Sequence, residues 1–418
     1  MKIESDFLGG QLNIFPHLLY LLKITTLLEA HNLIIGISST LYGLFSASVY
    51  LLLRELNIKP VMLMTIFILF QISALRISWD LQKDILALTF TFLINYLIIK
   101  DRKSNLNKSK MINFSMIGLL LIISIFTDTM ISFLLIISLL VYFLIKKERK
   151  YIIFLTILIT LIISFMVLNG NINSNPIIKN MNKLFNDDIK KNLTYTPINL
   201  GILFIMINFS SLPFFIYALK YLKDLLLSIQ LGITLIGSFT WLILPYSSIL
   251  LPDRWIILSG IFMSIFSSYG LFKFSQNFNN RRYMILLPIT FLFIFIGLMY
   301  IIMPNDYAFP VYGIFSNYIN AFVPITMQFN SIDIADNSDL LSTLDWLNNN
   351  TSANSIIYGD PHLRGWMETL LKDNRIFKFN DLNFSKNGIH VIMADNINLT
   401  SHNVKLIFSQ GPFKILKK

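Results

Sequence analysis

Apolar residues run along this chain in blocks of about 17 to 23, the length a helix needs to cross the hydrocarbon core of a bilayer. Ten blocks are predicted as spanning helices, over residues 33–53, 60–75, 84–99, 111–127, 129–145, 150–168, 199–219, 225–245, 255–273 and 283–303. The stretch before them, LNIFPHLLYLLKITTLLEA (residues 12–30), reads as a short interfacial helix rather than a span. After residue 303 the pattern changes. Residues 304–329 form a linker. Residues 337–349 then take helical spacing, with Leu340, Leu341, Leu344 and Leu347 on one side. Short alternating runs follow: SIIYG (355–359), RIFKF (375–379), IHVIMA (389–394), VKLIF (404–408) and FKILK (413–417), with one helix expected over 362–372. The predicted fold is a polytopic α-helical membrane domain over residues 33–303, with a small α/β domain over 330–418.

Composition agrees. The chain is 55% hydrophobic and only 14% charged, where a soluble domain carries roughly 25% charged residues. It contains no Cys, which removes disulfides, thiolate metal sites and Cys nucleophiles. Its five His have no paired spacing that would suit a metal. The first ten residues, MKIESDFLGG, are polar and acidic, so no cleavable signal peptide is expected.

Charge sorts the connections into two alternating sets. RELNIK (54–59), KDRKSNLNKSK (100–110), KKERK (146–150), KYLKD (220–224), Lys273 and Arg281-Arg282 hold 16 Lys or Arg against 4 acids. Residues 1–32, RISWDLQKD (76–84), TDT (127–129), 169–198 and PDR (252–254) hold 9 against 9, and the chain from 304 onward holds 9 against 10. The whole net charge of +11 therefore lies in one set, which the positive-inside rule assigns to the cytoplasm. That distribution reports topology, and no nucleic-acid partner is inferred from it. The balanced loops and the C-terminal domain face outward, on a multi-pass protein of the cell membrane. Sequons at Asn192, Asn349, Asn350, Asn383 and Asn398 fit that side, although Asn107 in the basic set carries the same pattern.

The outward loops concentrate acids near the bilayer, where charge is expensive. Arg76, Asp80 and Asp84 are spaced four apart in RISWDLQKD, so on one helical turn they would share a face, with Lys83 beside it. The plain reading is an i,i+4 ion pair with Trp79 at the interface; the functional one is a carboxylate in a cationic setting. Asp128, in a connection of almost no length, reads first as a helix cap and second as an acid facing a cavity. Pro252 and Asp253 suit a helix start. Arg254 does not, because the helix dipole disfavours a cation there, so it becomes a candidate anion contact. Its plain alternative is snorkelling, with Trp255 in the aromatic belt. In the C-terminal domain, DPHLRGWMETL (360–370) carries Arg364 and Trp366, which would stack on a sugar or, more commonly, pack.

Carboxylates and cations at headgroup depth suit a substrate that is part lipid and part sugar. A polyprenyl-phosphate sugar has a phosphate leaving group that Arg or Lys stabilises. Its acceptor hydroxyl needs a general base, for which a carboxylate serves. No G-x-x-x-x-G-K-[ST] or G-x-G-x-x-G loop for a nucleotide occurs.

The order of these parts resembles the GT-C class of membrane glycosyltransferases, which includes oligosaccharyltransferase catalytic subunits and protein mannosyltransferases. ESDFLGG followed by IFPHLLYLL resembles the acidic first outer loop and the segment after it. RISWDLQKD resembles the charged second outer loop, and LPDRW the Asp–Arg start of a late helix. WLNNNTSANSIIYGDPHLRGW resembles the beginning of the α/β domain that follows the last span. The resemblance implies inverting transfer from a polyprenyl- or dolichyl-phosphate sugar, outside the cytoplasm, to a glycan, lipid or protein acceptor. It implies Asp6 as catalytic base, Asp80 or Asp84 as the second-loop acid, and Arg76, Lys83 or Arg254 as phosphate contacts. Some members use a divalent metal such as Mg or Mn, for which Asp6 and Asp80 are the candidate ligands.

The chain departs from the class in two places. A spanning helix normally precedes the first acidic loop, and here Asp6 is almost terminal, so either a first helix is missing before Asp6 or Asp6 is not the catalytic position. The WWD-type acceptor motif of oligosaccharyltransferases is absent, its nearest pieces being LDWL and RGWM, which argues against asparagine-linked transfer. Two other function classes stand beside the enzyme: a lipid-linked-sugar flippase or transporter, and an inactive envelope scaffold. A transporter needs polar groups near mid-span, where the sequence offers isolated residues such as Asn95 and Gln230.

Overall fold

A computed structural model describes residues 14–26, 30–80, 82–103, 107–168, 197–221, 224–240, 252–278, 281–302, 336–352, 355–359, 363, 367, 371, 376–379, 388–393 and 405–417 of the 418-residue chain. The described residues up to Ile302 belong to one compact unit and those from Asp336 onward to a second.

The first unit is helical because its apolar blocks can satisfy their backbone groups within a bilayer only as helices. They form α1 (Ile14–Thr26), α2 (Ala30–Glu55), α3 (Val61–Leu69), α4 (Ile72–Asp80), α5 (Gln82–Lys103), α6 (Asn107–Ile125) and α7 (Thr129–Lys146). They continue as α8 (Arg149–Leu168), α9 (Pro197–Asn208), α10 (Leu212–Ala218), α11 (Leu225–Phe239), α12 (Pro252–Gln276) and α13 (Arg282–Ile302). Helix α1 occupies the predicted interfacial stretch. Each predicted span coincides with helix, but two are broken. Helices α3 and α4 bend by 65° at Phe70-Gln71, and α9 and α10 by 87° at Phe209–Ser211. Helix α4 also absorbs RISWD, predicted as part of a loop. Arg76 and Asp80 therefore ride on α4 and Asp84 on α5, rather than on one continuous face.

Among the described residues, five helices are long and apolar enough to cross a membrane, or seven if each bent pair is one span. Ten spans were expected. The apolar stretches Asn113–Ile125 and Leu225–Phe239 are shorter, and residues 241–251, which would complete the block at 225–245, lie outside the described residues. The chain is thus a polytopic helical membrane protein.

Helix α12 is the hub, packed against α3, α4, α9, α10, α11 and α13. Of its central residues 94% are buried, against 28% for α13 and 33% for α2. Its sequence explains why. Ser259, Gly260, Ser264, Ser267, Ser268, Gly270 and Ser275 are small and buried, and small residues let backbones approach closely where lipid supplies no hydrophobic drive between helices. At Gly260 an added Cβ would lie 2.5 Å from Asn208 Oδ1. At Gly270 it would run into the Phe214 carbonyl.

The two charge-sorted sets of connections each come together. From the basic set, Lys103 pairs with Glu55 at 3.0 Å, Arg102 with Asp224 at 3.1 Å, and Arg282 donates to the Lys59 carbonyl. From the balanced set, Asp84 lies within electrostatic reach of both Asp128 and Arg254.

The second unit is built on a five-stranded sheet of order β2-β1-β3-β5-β4. Its strands are β1 (Ile356–Gly359), β2 (Ile376–Phe379), β3 (Ile389–Met393), β4 (Lys405–Gln410) and β5 (Phe413–Lys417), one in each predicted run. Strand β1 pairs in parallel with β2 and β3, whereas β5 runs antiparallel to β3 and β4. Helix α14 (Asn337–Asn350) lays Leu340, Leu344 and Leu347 on Ile357, Val391, Phe413 and Ile415. The β4–β5 turn requires glycine. Gly411 has φ +51°, and an added Cβ would collide with the Asp339 carboxylate. Trp346 of LDWL stacks on Phe408, 5.1 Å between centroids, and so is a packing residue. Most of the helix expected over 362–372 lies outside the described residues.

Candidate functional site

Three helix starts carry the site. Helix α5 opens Gln82-Lys83-Asp84, α7 follows Asp128, and α12 opens Pro252-Asp253-Arg254. Asp128 caps α7: its Oδ1 accepts from the Ile131 N–H at 2.9 Å. This satisfies a free first-turn donor and places a negative charge at the positive end of the helix.

Asp84, in the first turn of α5, sits beside Asp128 and within the fields of Arg254 and Lys83. Asp84 is 4% exposed and Asp128 is 6% exposed. The Asp84 Oδ1 has no hydrogen-bond partner among the described residues. An isolated buried carboxylate would be prohibitively costly. Two features offset that cost here: the helix starts that meet at this point, and the two cations. Arg254 therefore has a partner the sequence did not supply. The dipole of α12 disfavours it, but the Asp84 carboxylate of α5 favours it.

Arg76 is buried on α4, which packs against α5 and α12. Trp255 is also buried, rather than sitting in an interfacial belt. Its indole lies against Gly237 of α11, where any Cβ would collide with the ring. It fixes the start of α12 and hence the placement of Arg254. Asp80 and Asp253 fall within α4 and α12, but their side chains lie outside the description. Asp6, Arg364 and Trp366 lie outside the described residues altogether. The structure thus brings together Asp84, Asp128, Arg254 and Lys83.

Two polar junctions deeper in the bundle escaped the sequence reading. Asn95 and Gln230 are not isolated. Asn95 Nδ2 donates to Gln230 Oε1 at 2.7 Å, and Gln230 Nε2 donates back to Asn95 Oδ1 at 3.0 Å and to Ser138 Oγ at 3.4 Å. All three residues are fully buried, on α5, α11 and α7. A signal for this was present: Asn95 follows Asp84 by eleven residues and Ser138 follows Asp128 by ten. At 1.5 Å per residue both therefore lie about 15–17 Å below the acids. The second junction joins the two helix breaks. Ser210 Oγ donates to Gln71 Oε1 at 2.6 Å, while Gln71 Nε2 donates to the Phe67 carbonyl at 3.0 Å.

No protein-family model and no curated protein matches the chain. Among the described residues, no group of three or more His, Asp or Glu is placed to hold a metal ion.

Proposed function

We propose that this chain is an inverting membrane glycosyltransferase that moves a sugar from a polyprenyl-phosphate donor to an acceptor hydroxyl at the extracytoplasmic face. One observation carries the reading: Asp84 and Asp128 are buried side by side where α5 and α7 begin, and Asp84 lies within the fields of the half-buried Arg254 and Lys83. Ionisable groups at such a place are functional candidates by default.

Asp84 is the general base, because its Oδ1 is unengaged while Asp128 is committed to its cap. The acceptor oxygen bonds to the anomeric carbon as the bond from that carbon to the phosphate oxygen breaks. The electron pair leaves with the polyprenyl phosphate, and the acceptor proton passes to Asp84. Arg254 and Lys83 stabilise the charge growing on the phosphate. The resemblance implies Asp6 as base, but Asp6 lies outside the described residues, and in this reading Asp84 takes that role; Asp80 stays an expected second-loop acid, and no step is routed through a metal. In this reading the basic connections are cytoplasmic and the domain from residue 330 lies outside.

The test uses membranes holding the full chain and a radiolabelled polyprenyl-phosphate sugar. Asp84→Asn and Arg254→Gln are each expected to lower transfer at least about 100-fold, the usual range for losing a general base or a charge-stabilising donor. Wild-type rates in both would end the proposal.

One observation favours a second reading, a transporter of lipid-linked sugar. Discontinuous helices whose breaks meet are the usual architecture of transport sites, and the α3–α4 and α9–α10 breaks meet through Gln71 and Ser210. Movement of labelled lipid-linked sugar across a proteoliposome membrane with its glycosidic bond intact would establish it.

A further inference from the structure

The opposite end of α12 holds a second charged cluster of a different kind. Lys273 lies in the last turn of α12 and Arg282 begins α13. Both flank one ring: the Arg282 guanidinium carbon is 5.0 Å and Lys273 Nζ 5.5 Å from the centre of Phe272. Arg282 also donates to the backbone carbonyl of Lys59, between α2 and α3, which brings the chain at a third, exposed basic residue to the cluster. Arg281 is adjacent and exposed.

Elsewhere at this end, two cations are balanced, Lys103 by Glu55 and Arg102 by Asp224. Among the described residues, no carboxylate pairs with Lys59, Lys273, Arg281 or Arg282, and Arg282 Nε is buried without an acceptor. Cations gathered from three elements repel one another unless an anion joins them.

The apolar surroundings say what kind of anion. Met62 in the first turn of α3, and Tyr283 and Met284 in that of α13, are 69%, 55% and 71% exposed. In a bilayer these are hydrocarbon-facing surfaces directly beside the cations. A ligand that matches both features carries a phosphate and acyl chains.

We propose that Lys59, Lys273, Arg281 and Arg282 form a binding site for the phosphate of an anionic glycerophospholipid in the leaflet at the basic end of the bundle. Arg254 and Lys273 mark the two sites on α12 and stand 19 residues apart, about 28 Å along the helix, and the lipid site does not depend on the proposed transfer activity. Each basic residue near a membrane surface strengthens binding of anionic lipid about fivefold.

The full chain, purified in a neutral detergent, is titrated with phosphatidylglycerol or phosphatidylcholine, and bound lipid is counted by native mass spectrometry. Wild type is expected to retain phosphatidylglycerol in preference to phosphatidylcholine. The double variant Lys273→Gln/Arg281→Gln, which removes no side-chain bond to the backbone, is expected to bind phosphatidylglycerol about 25-fold more weakly, with phosphatidylcholine unchanged. Arg282→Gln adds a further loss, while Arg282→Lys restores part of it. Equal retention of the two lipids by wild type, or unchanged phosphatidylglycerol binding in the double variant, overturns the proposal. A third arm adds glycerol phosphate without acyl chains. If it displaces phosphatidylglycerol at equal concentration, the site serves free phosphate and the lipid assignment is wrong.

Discussion

Replacing Gln230 with Leu should destabilise the bundle far more than removing Gln230 and Asn95 together. Gln230 exchanges bonds of 2.7 and 3.0 Å with Asn95 and reaches Ser138 at 3.4 Å, all fully buried. A side-chain hydrogen bond between membrane helices contributes on average about 0.6 kcal/mol, so the two short bonds and the long one contribute about 1–2 kcal/mol. Gln230→Leu also leaves the Asn95 amide without a partner, which costs about 1–3 kcal/mol more. The single variant should therefore lose about 2–5 kcal/mol, and Asn95→Leu a similar amount. In the double variant no polar group is stranded, and the loss should return to about 1 kcal/mol. Unfolding in mixed micelles with increasing SDS, read by circular dichroism, gives the four corners of a double-mutant cycle. Additive losses would refute the reciprocal pairing, and so would two neutral single variants.

Other outcomes follow from the same packing. Gly270→Ala drives a methyl into the Phe214 backbone carbonyl; the same unfolding assay should show a loss of at least about 2 kcal/mol, in the range of overpacking. Gly411→Ala combines a positive φ with a clash on Asp339 and should lower the melting temperature of the full chain by a cost of about 1–3 kcal/mol. Arg102→Gln breaks an ion pair that is 32% exposed on the arginine side and should cost under about 1 kcal/mol in the same melts. The chain has no native Cys, so single cysteines report sidedness without background. Lys147→Cys and Lys220→Cys should react with an impermeant maleimide from the same side of a sealed vesicle, and Gln82→Cys from the other.

Much of this architecture was legible in the sequence, because apolar length and charge are strong signals in a membrane chain. The helices coincide with the predicted spans, and the alternating charge count grouped connections that then meet, with Lys103 on Glu55 and Arg102 on Asp224. The five strands lie where the alternating runs placed them. The breaks were not legible. Gln71, Ser210 and Ser211 are the polar residues at the breaks, yet hydropathy summed over a block passes smoothly across them, because their neighbours Phe70 and Phe209 are apolar. The site was half legible. Asp84, Asp128 and Arg254 each stood out singly as charges near a bilayer. Their meeting depends on how α5, α7 and α12 pack, which spacing within one segment does not encode. RISWDLQKD misled for the same reason: its four-residue spacing suggested one face, but the chain passes from α4 to α5 between Asp80 and Gln82.

The central claim is that the cluster at Asp84 cleaves the sugar–phosphate bond of a lipid-linked donor. The most direct measurement uses the full chain in proteoliposomes with a polyprenyl-phosphate sugar labelled on the sugar, and follows free polyprenyl phosphate by mass spectrometry. The account predicts acceptor-dependent release of polyprenyl phosphate by wild type and almost none by Asp84→Asn. Labelled donor that stays intact with wild type while moving between leaflets would contradict it and leave the transporter in its place.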